Sequence, residues 1–190
     1  MAEFSLVHRP ALAGAKSGSF GSTAVDGRIV LEALPEGHVL QILASGGTGD
    51  LSAIVASVSD SSAHAVRAVG PGQWFVVGDA AFAHSDIADK QALLSGPASI
   101  ADQSHGRVRI GISGNAVEAV LAKGTAVDLH LSQFPVGRSA MTLISHISAL
   151  ITRTGDIRFE ILVLRGFAES LWDELIEMGL EFGVDARAGL

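Results

Sequence analysis

The sequence predicts an α+β fold of two similarly organised halves, and three observations predict it. Short apolar strands bounded by Gly, Pro and Asp turns recur along the chain, helical periods interrupt them in the same order in each half, and the last helix carries a continuous apolar stripe. No residue repeat links the halves; the repetition lies in the order of elements.

Residues 1–27 contain many Gly, Ala and Ser with no sustained period, so they predict a flexible N-terminal arm without a core of its own. The first half then runs over 28–98. Residues 28–33 and 38–44 are apolar strands joined by Leu34-Pro35-Glu36-Gly37, which predicts a hairpin because Pro presets the turn and Gly tolerates positive φ. Leu51, Ile54, Val55 and Val58 follow i, i+3, i+4, i+7 spacing, with Asp50 or Thr48 as cap. Strands near 63–69 and 74–78 precede a helix near 80–94, closed by Gly96-Pro97.

The second half, 99–190, opens with strands near 99–103 and 107–113. Val108, Ile110 and Ile112 share the core face of the latter, leaving Arg107 and Arg109 on the opposite, outward face. Ser113 stands where an N-cap would start a helix over 115–122, and Gly124 supplies a left-handed stop. Val127, Leu129 and Leu131 alternate with Asp128, His130 and Ser132 as a further half-buried strand. Strands over 139–146, 148–154 and 157–164 follow, the last two joined by Thr154-Gly155-Asp156. A final helix over 167–182 stacks Phe167, Leu171 and Leu175 beside Ala168, Trp172 and Ile176.

With 190 residues the chain can bury about 70% of the surface its unfolded form exposes, enough for the two halves to form one compact domain. A net charge of −7, with basic residues scattered singly, offers no stripe to follow a phosphate backbone, which argues against nucleic acid. The uncharged stretch 139–152 falls short of the roughly 20 apolar residues of a membrane helix. Surplus apolar surface therefore reads as core plus a subunit interface. Absence of cysteine and the lack of a basic, apolar leader at Met1-Ala2-Glu3-Phe4 predict a cytoplasmic protein.

Motifs for chemistry are sparse. Gly46-Gly47-Thr48-Gly49 lies between a strand and a helix, but Ser52 replaces the last glycine of a dinucleotide loop and no lysine follows, so it reads as a turn. Histidines 8, 38, 64, 84, 105, 130 and 146 never pair at i, i+2 or i, i+4, and no metal is predicted. Asp128 and His130 read as a solvated strand face. Asp102 next to His105 is the acid–base pair of interest, and Ser104 and Ser113 lack a nucleophile elbow. No catalytic residue is predicted. Arg107, Arg109, Arg138 and Trp74 are the candidate interface residues, because arginine forks and tryptophans are favoured at subunit contacts; Trp172 is expected in the core.

One stretch, DQSHGRVRIGISGNAVEAVLAKGTAVDLH at 102–130, also carries a family signature. Together with Gly70-Pro71-Gly72-Gln73-Trp74, Phe134-Pro135-Val136-Gly137-Arg138, Thr142-Leu143, Leu164-Arg165-Gly166-Phe167-Ala168-Glu169-Ser170-Leu171-Trp172 and Glu181-Phe182-Gly183, it resembles the gamma subunits of heterotetrameric sarcosine oxidases. The resemblance implies two interlocked halves of mainly antiparallel strands with outer helices, like the folate-binding aminomethyltransferase domain. It implies an accessory role beside alpha, beta and delta subunits that hold FAD, FMN, NAD and tetrahydrofolate, with no cofactor in this chain. The complex would oxidise sarcosine to glycine and peroxide, yielding methylene-tetrahydrofolate or formaldehyde. Two alternatives stay open: a stand-alone folate-binding aminomethyltransferase-like protein, and the gamma subunit of an N-methylglutamate-type dehydrogenase.

Overall fold

Side-chain alternation along the strands sorts two sheets and their helices into three apolar layers. The computed structural model describes residues 7–23, 28–47 and 49–189. A large sheet contains β1 (Gly18–Phe20), β2 (Ile29–Ala33), β7 (Arg107–Ser113), β8 (Ser139–Ile144), β9 (Ile147–Gly155), β10 (Arg158–Leu164) and β11 (Val184–Arg187). Its order is β1-β11-β2-β7-β10-β9-β8, antiparallel except for the parallel β11–β2 pair. A smaller antiparallel sheet runs β4 (Val66–Gly70), β5 (Gln73–Gly78), β3 (His38–Ala44), β6 (Ala98–Asp102).

Val108, Ile110 and Ile112 of β7 and Phe159, Ile161 and Val163 of β10 pack beneath α3 (Val117–Leu121) and α4 (Ala168–Gly179). The alternate positions face the small sheet, where Leu150 and Leu162 meet Val39, Phe75 and Val77. The far face of the small sheet, Leu40, Ile42 and Val76, buries Val55 of α1 (Ser52–Ser57) and the end of α2 (His84–Leu93). Helices thus cover both outer faces, as the α+β expectation requires. The halves interlock: β2 of the first joins the large sheet, while β6, at the expected 98/99 division, joins the small one. Among the described residues no helix is long and apolar enough to cross a membrane.

Several local expectations are corrected. Residues 28–33 and 38–44 are strands but no hairpin, because β2 is paired on both edges, by β11 and β7, and Leu34 N–H donates onward to Arg109 O. Ser113 is no cap: β7 runs through it, paired to Val30 and Arg158, and the helix starts at Val117 without a side-chain cap. Between them Gly114 has φ 134° and lies where a Cβ would stand 2.3 Å from Arg28 O, so glycine is required there. Gly124 is not left-handed; its constraint is close approach, since a Cβ would meet Met178 Sδ at 2.8 Å.

The expected strand around 127–131 is a chain of turns. Asp128 accepts from His130 N–H at 3.0 Å, and His130 O accepts from both Gln133 and Phe134 N–H, so local bonds replace a ladder. Phe167 lies outside the final helix in the 3₁₀ turn Arg165–Phe167 and is 51% exposed, whereas Leu171, Trp172, Leu175 and Ile176 are buried as expected. The N-cap of α1 is Leu51, without a side-chain cap bond; of the two expected caps, Asp50 stands one residue earlier and accepts from Ser52 N–H at 2.9 Å, and Thr48 lies outside the described residues.

Residues 7–23, the described part of the expected arm, lie on the chain itself. Leu12 is 2% exposed in the main core, β1 pairs with β11, and Trp172 Nε1 donates to Lys16 O at 2.8 Å. Glycine and serine obscured this, since the segment contributes one deep side chain and mostly backbone. Leu12→Ala is expected to lower the unfolding free energy of the isolated chain by about 2–4 kcal/mol. A urea unfolding curve checks this; an unchanged midpoint would mean that the segment is not part of the folded unit.

Candidate functional site

At one end of the layer between the sheets, apolar packing gives way to charge. Glu160 occupies an inward position in β10, where the residues on the core face of the same strand are all apolar. Arg67 of β4 reaches it across the layer, Nη1 to Oε1 at 2.7 Å. Arg109 of β7 forks onto the same carboxylate, Nε to Oε1 at 2.7 Å and Nη2 to Oε2 at 3.2 Å, while its Nη1 donates to Asp79 at 2.7 Å. Arg67, Arg109 and Glu160 are buried and Asp79 is exposed. Burial alone would raise the Glu160 carboxyl; hydrogen bonds and charge from Arg67 and Arg109 outweigh it and bring it down to about 2.

This cluster floors an open cleft of about 490 Å³, with Asp60, His64, Thr154 and Arg158 around its walls. Ser61 and His64 adopt left-handed backbone conformations there, at φ 62° and 61°. Nearby, His38 is fully buried: its Nδ1 donates to Ala80 O at 2.7 Å, its ring stacks on Phe82 at 3.8 Å, and Nε2 has no partner. A second cluster ties the N-terminal segment down. Glu36 accepts from Ala11 N–H at 2.8 Å and Arg165 at 3.0 Å and pairs with His8 at 2.6 Å. Burial raises its carboxyl, but these bonds more than offset that and hold it low.

The four expected interface residues separate. Arg109, expected to face outward, is 8% exposed, because the outward face of β7 is covered by the small sheet. Arg107, on the same face, is half-buried with its guanidinium 4.5 Å from the Phe75 ring centre. Arg138 is exposed and donates to Gln133 O at 2.7 Å. Trp74 is half-buried against the outer core of the small sheet. Asp102 bonds Ser104, N–H at 2.9 Å and Oγ at 2.6 Å, in a local turn. The sequence reading missed Glu160, Arg67 and Asp79. The legible signal was a glutamate inside Phe159-Glu160-Ile161-Leu162-Val163, a place where an uncompensated carboxylate is costly.

The cluster's chemistry is that of a lock. A carboxylate that stays ionised far below neutrality exchanges no proton near neutral pH, where general acid–base work needs a titrating group. Among the described residues no group of three or more His, Asp or Glu could hold a metal ion.

The family model for the GCVT N-terminal domain matches residues 63–190. The sarcosine oxidase subunit gamma of Corynebacterium sp. (strain U-96) is 30% identical over 173 residues, 90% of this chain and 83% of that protein. In structure, a chain of the heterotetrameric sarcosine oxidase from Corynebacterium sp. U-96, solved in complex with pyrrole 2-carboxylate, superposes with a TM-score of 0.70 at 24% identity, covering 81% of this chain and 85% of that one. The glycine cleavage system aminomethyltransferase T from Bartonella henselae superposes with a TM-score of 0.60 at 16% identity, covering 86% of this chain and 48% of that one. Both structural likenesses concern the fold.

Proposed function

The chain belongs to the sarcosine oxidase gamma subunit family, within the wider family of the GCVT N-terminal domain, and from that membership we propose that it is the accessory gamma subunit of a sarcosine oxidase complex. The single observation that carries the reading is identity spread over 90% of the chain to a protein of that name. The buried cluster supports it from the chemical side, because the best-formed group of charged residues here is suited to holding two sheets together and not to turnover.

In this reading the alpha, beta and delta subunits hold FAD, FMN, NAD and tetrahydrofolate, and this chain holds no cofactor. The complex oxidises sarcosine to glycine, reduces oxygen to hydrogen peroxide, and passes the methyl carbon to tetrahydrofolate as methylene or releases it as formaldehyde. The place of action is the cytoplasm. This chain contributes packing surface, with Arg107, Arg138 and Trp74 as the interface candidates that are not enclosed within it.

Co-expression with candidate flavoprotein subunits, followed by purification through a tag on this chain, tests the proposal. A yellow multi-subunit complex is expected. A colourless monomer that binds tetrahydrofolate tightly by itself would overturn it in favour of the aminomethyltransferase-like alternative.

A further inference from the structure

Six described arginines are buried or half-buried: Arg28, Arg67, Arg107, Arg109, Arg153 and Arg165. Five have acceptors for their guanidinium groups. Arg67 and Arg109 bond Glu160, Arg153 bonds Glu118, Arg165 bonds Glu36, and Arg28 donates to the carbonyls of Ser22 and Val184. Arg107 is the exception. Its guanidinium lies 4.5 Å from the centre of the Phe75 ring, its Nε is closed off from water with no acceptor, and no described carboxylate pairs with it. We propose that Arg107 is an anchor for an acidic side chain presented by a neighbouring, non-identical subunit.

A partly desolvated cation without a counter-charge is a cost that Arg67, Arg109, Arg153 and Arg165 avoid. Burial alone pulls the Arg107 guanidinium below its ordinary value, with no carboxylate opposing it. The aromatic face beneath recovers part of that cost and fixes the plane of the fork, leaving the terminal nitrogens as unmatched donors. Directly opposite Arg107 in the β7–β10 register stands Leu164, which is 41% exposed and projects from the same face of the sheet. An apolar side chain beside an oriented, unpaired guanidinium is the composition of an interface anchor, and it fits a partner segment in which an Asp or Glu lies next to an apolar residue. The partner is a different chain because this one carries a net charge of −7, so that two copies repel at long range.

The inference deepens the subunit reading and rests on it. Its test uses the co-expressed complex and the isolated chain, each with Arg107 and with Arg107→Gln. The variant complex is expected to dissociate at least about tenfold more readily near about 0.15 M salt, and to lose the salt sensitivity shown by the parent complex. The isolated Arg107→Gln chain is expected to unfold at the same urea concentration or a higher one, since the side chain has no internal acceptor to lose and removal of its unpaired, partly desolvated charge offsets the lost Phe75 contact. Normal parent assembly with an unaffected variant complex overturns the anchor alone. A lower urea midpoint for the isolated variant also overturns it, by revealing an acceptor for the guanidinium within the chain. A parent chain that assembles with nothing overturns the subunit reading and the anchor with it.

Discussion

Glu160→Gln is expected to lower the unfolding free energy by about 3–5 kcal/mol. The substitution keeps the shape of the side chain and removes the one charge that Arg67 and Arg109 share. Both guanidinium groups are then left in a layer where they are nearly inaccessible to water. Losing one member of a buried group in this way costs more than the group as a whole contributes, because Arg67 is left without a counter-charge and Arg109 with only the exposed Asp79. The same physics predicts a contrast: replacing Arg67, Arg109 and Glu160 together by apolar residues of similar size should cost far less than Glu160→Gln alone.

A pH dependence follows. The Glu160 carboxyl is lowered from 4.5 to about 2 in the folded chain, so the unfolded chain binds the proton more readily. Its contribution is fully present above the unfolded value and is lost as pH falls from about 5 toward about 2, an amount on the order of 3 kcal/mol. Urea titrations across that window should show the fall in the parent chain, and Glu160→Gln should flatten that part of it. Parallel curves for the two proteins would mean that Glu160 does not carry the charge lock.

Arg153→Met is expected to cost about 2–4 kcal/mol and to loosen residues 125–138. Arg153 is fully buried on the helix side of β9, with its guanidinium 4.4 Å from the centre of the Phe159 ring. It bonds Glu118 of α3 at 2.6 Å and donates to the carbonyls of Leu129 and Asp156. Its backbone closes the same region: Gly137 N–H donates to Arg153 O at 2.8 Å, and Arg153 N–H donates to Arg138 O at 3.0 Å. One side chain therefore holds a 17-residue connection lacking helix or strand of its own, residues 122–138, from the end of α3 to the start of β8. Methionine keeps the apolar contact with Phe159 and removes every donor. Hydrogen exchange should show faster exchange at Phe134, Gly137 and Arg138 with little change in β10; uniform loss across the sheet would point to a global effect instead.

What could be read from the sequence follows from how far each interaction reaches along the chain. Val108, Ile110 and Ile112 announce a strand by period alone, and the 168–179 helix announces its stripe the same way. Pairing is non-local, so 28–33 and 38–44 could be identified as strands while their partners could not: β2 pairs with residues near 110 and 185. The buried side of β7 was misassigned for the same reason. Arg109 looks outward when β7 is read alone, and becomes interior only because β3, β4 and β5 cover that face. Alternation in Val127, Leu129 and Leu131 was overridden by local side-chain bonds at Asp128 and His130 that period counting does not weigh. The charge lock joins positions 67, 79, 109 and 160, and its members carry no motif spacing.

In the proposed function this chain acts as a subunit and leaves oxidation to its partners. Sarcosine-dependent peroxide release measures it most directly, using candidate flavoprotein subunits expressed with and without this chain, and this chain alone. Peroxide is expected from the full complex, little or none when this chain is omitted and the complex fails to assemble, and none from this chain by itself. Full activity and full assembly without this chain would contradict it, as would sarcosine turnover by the chain alone.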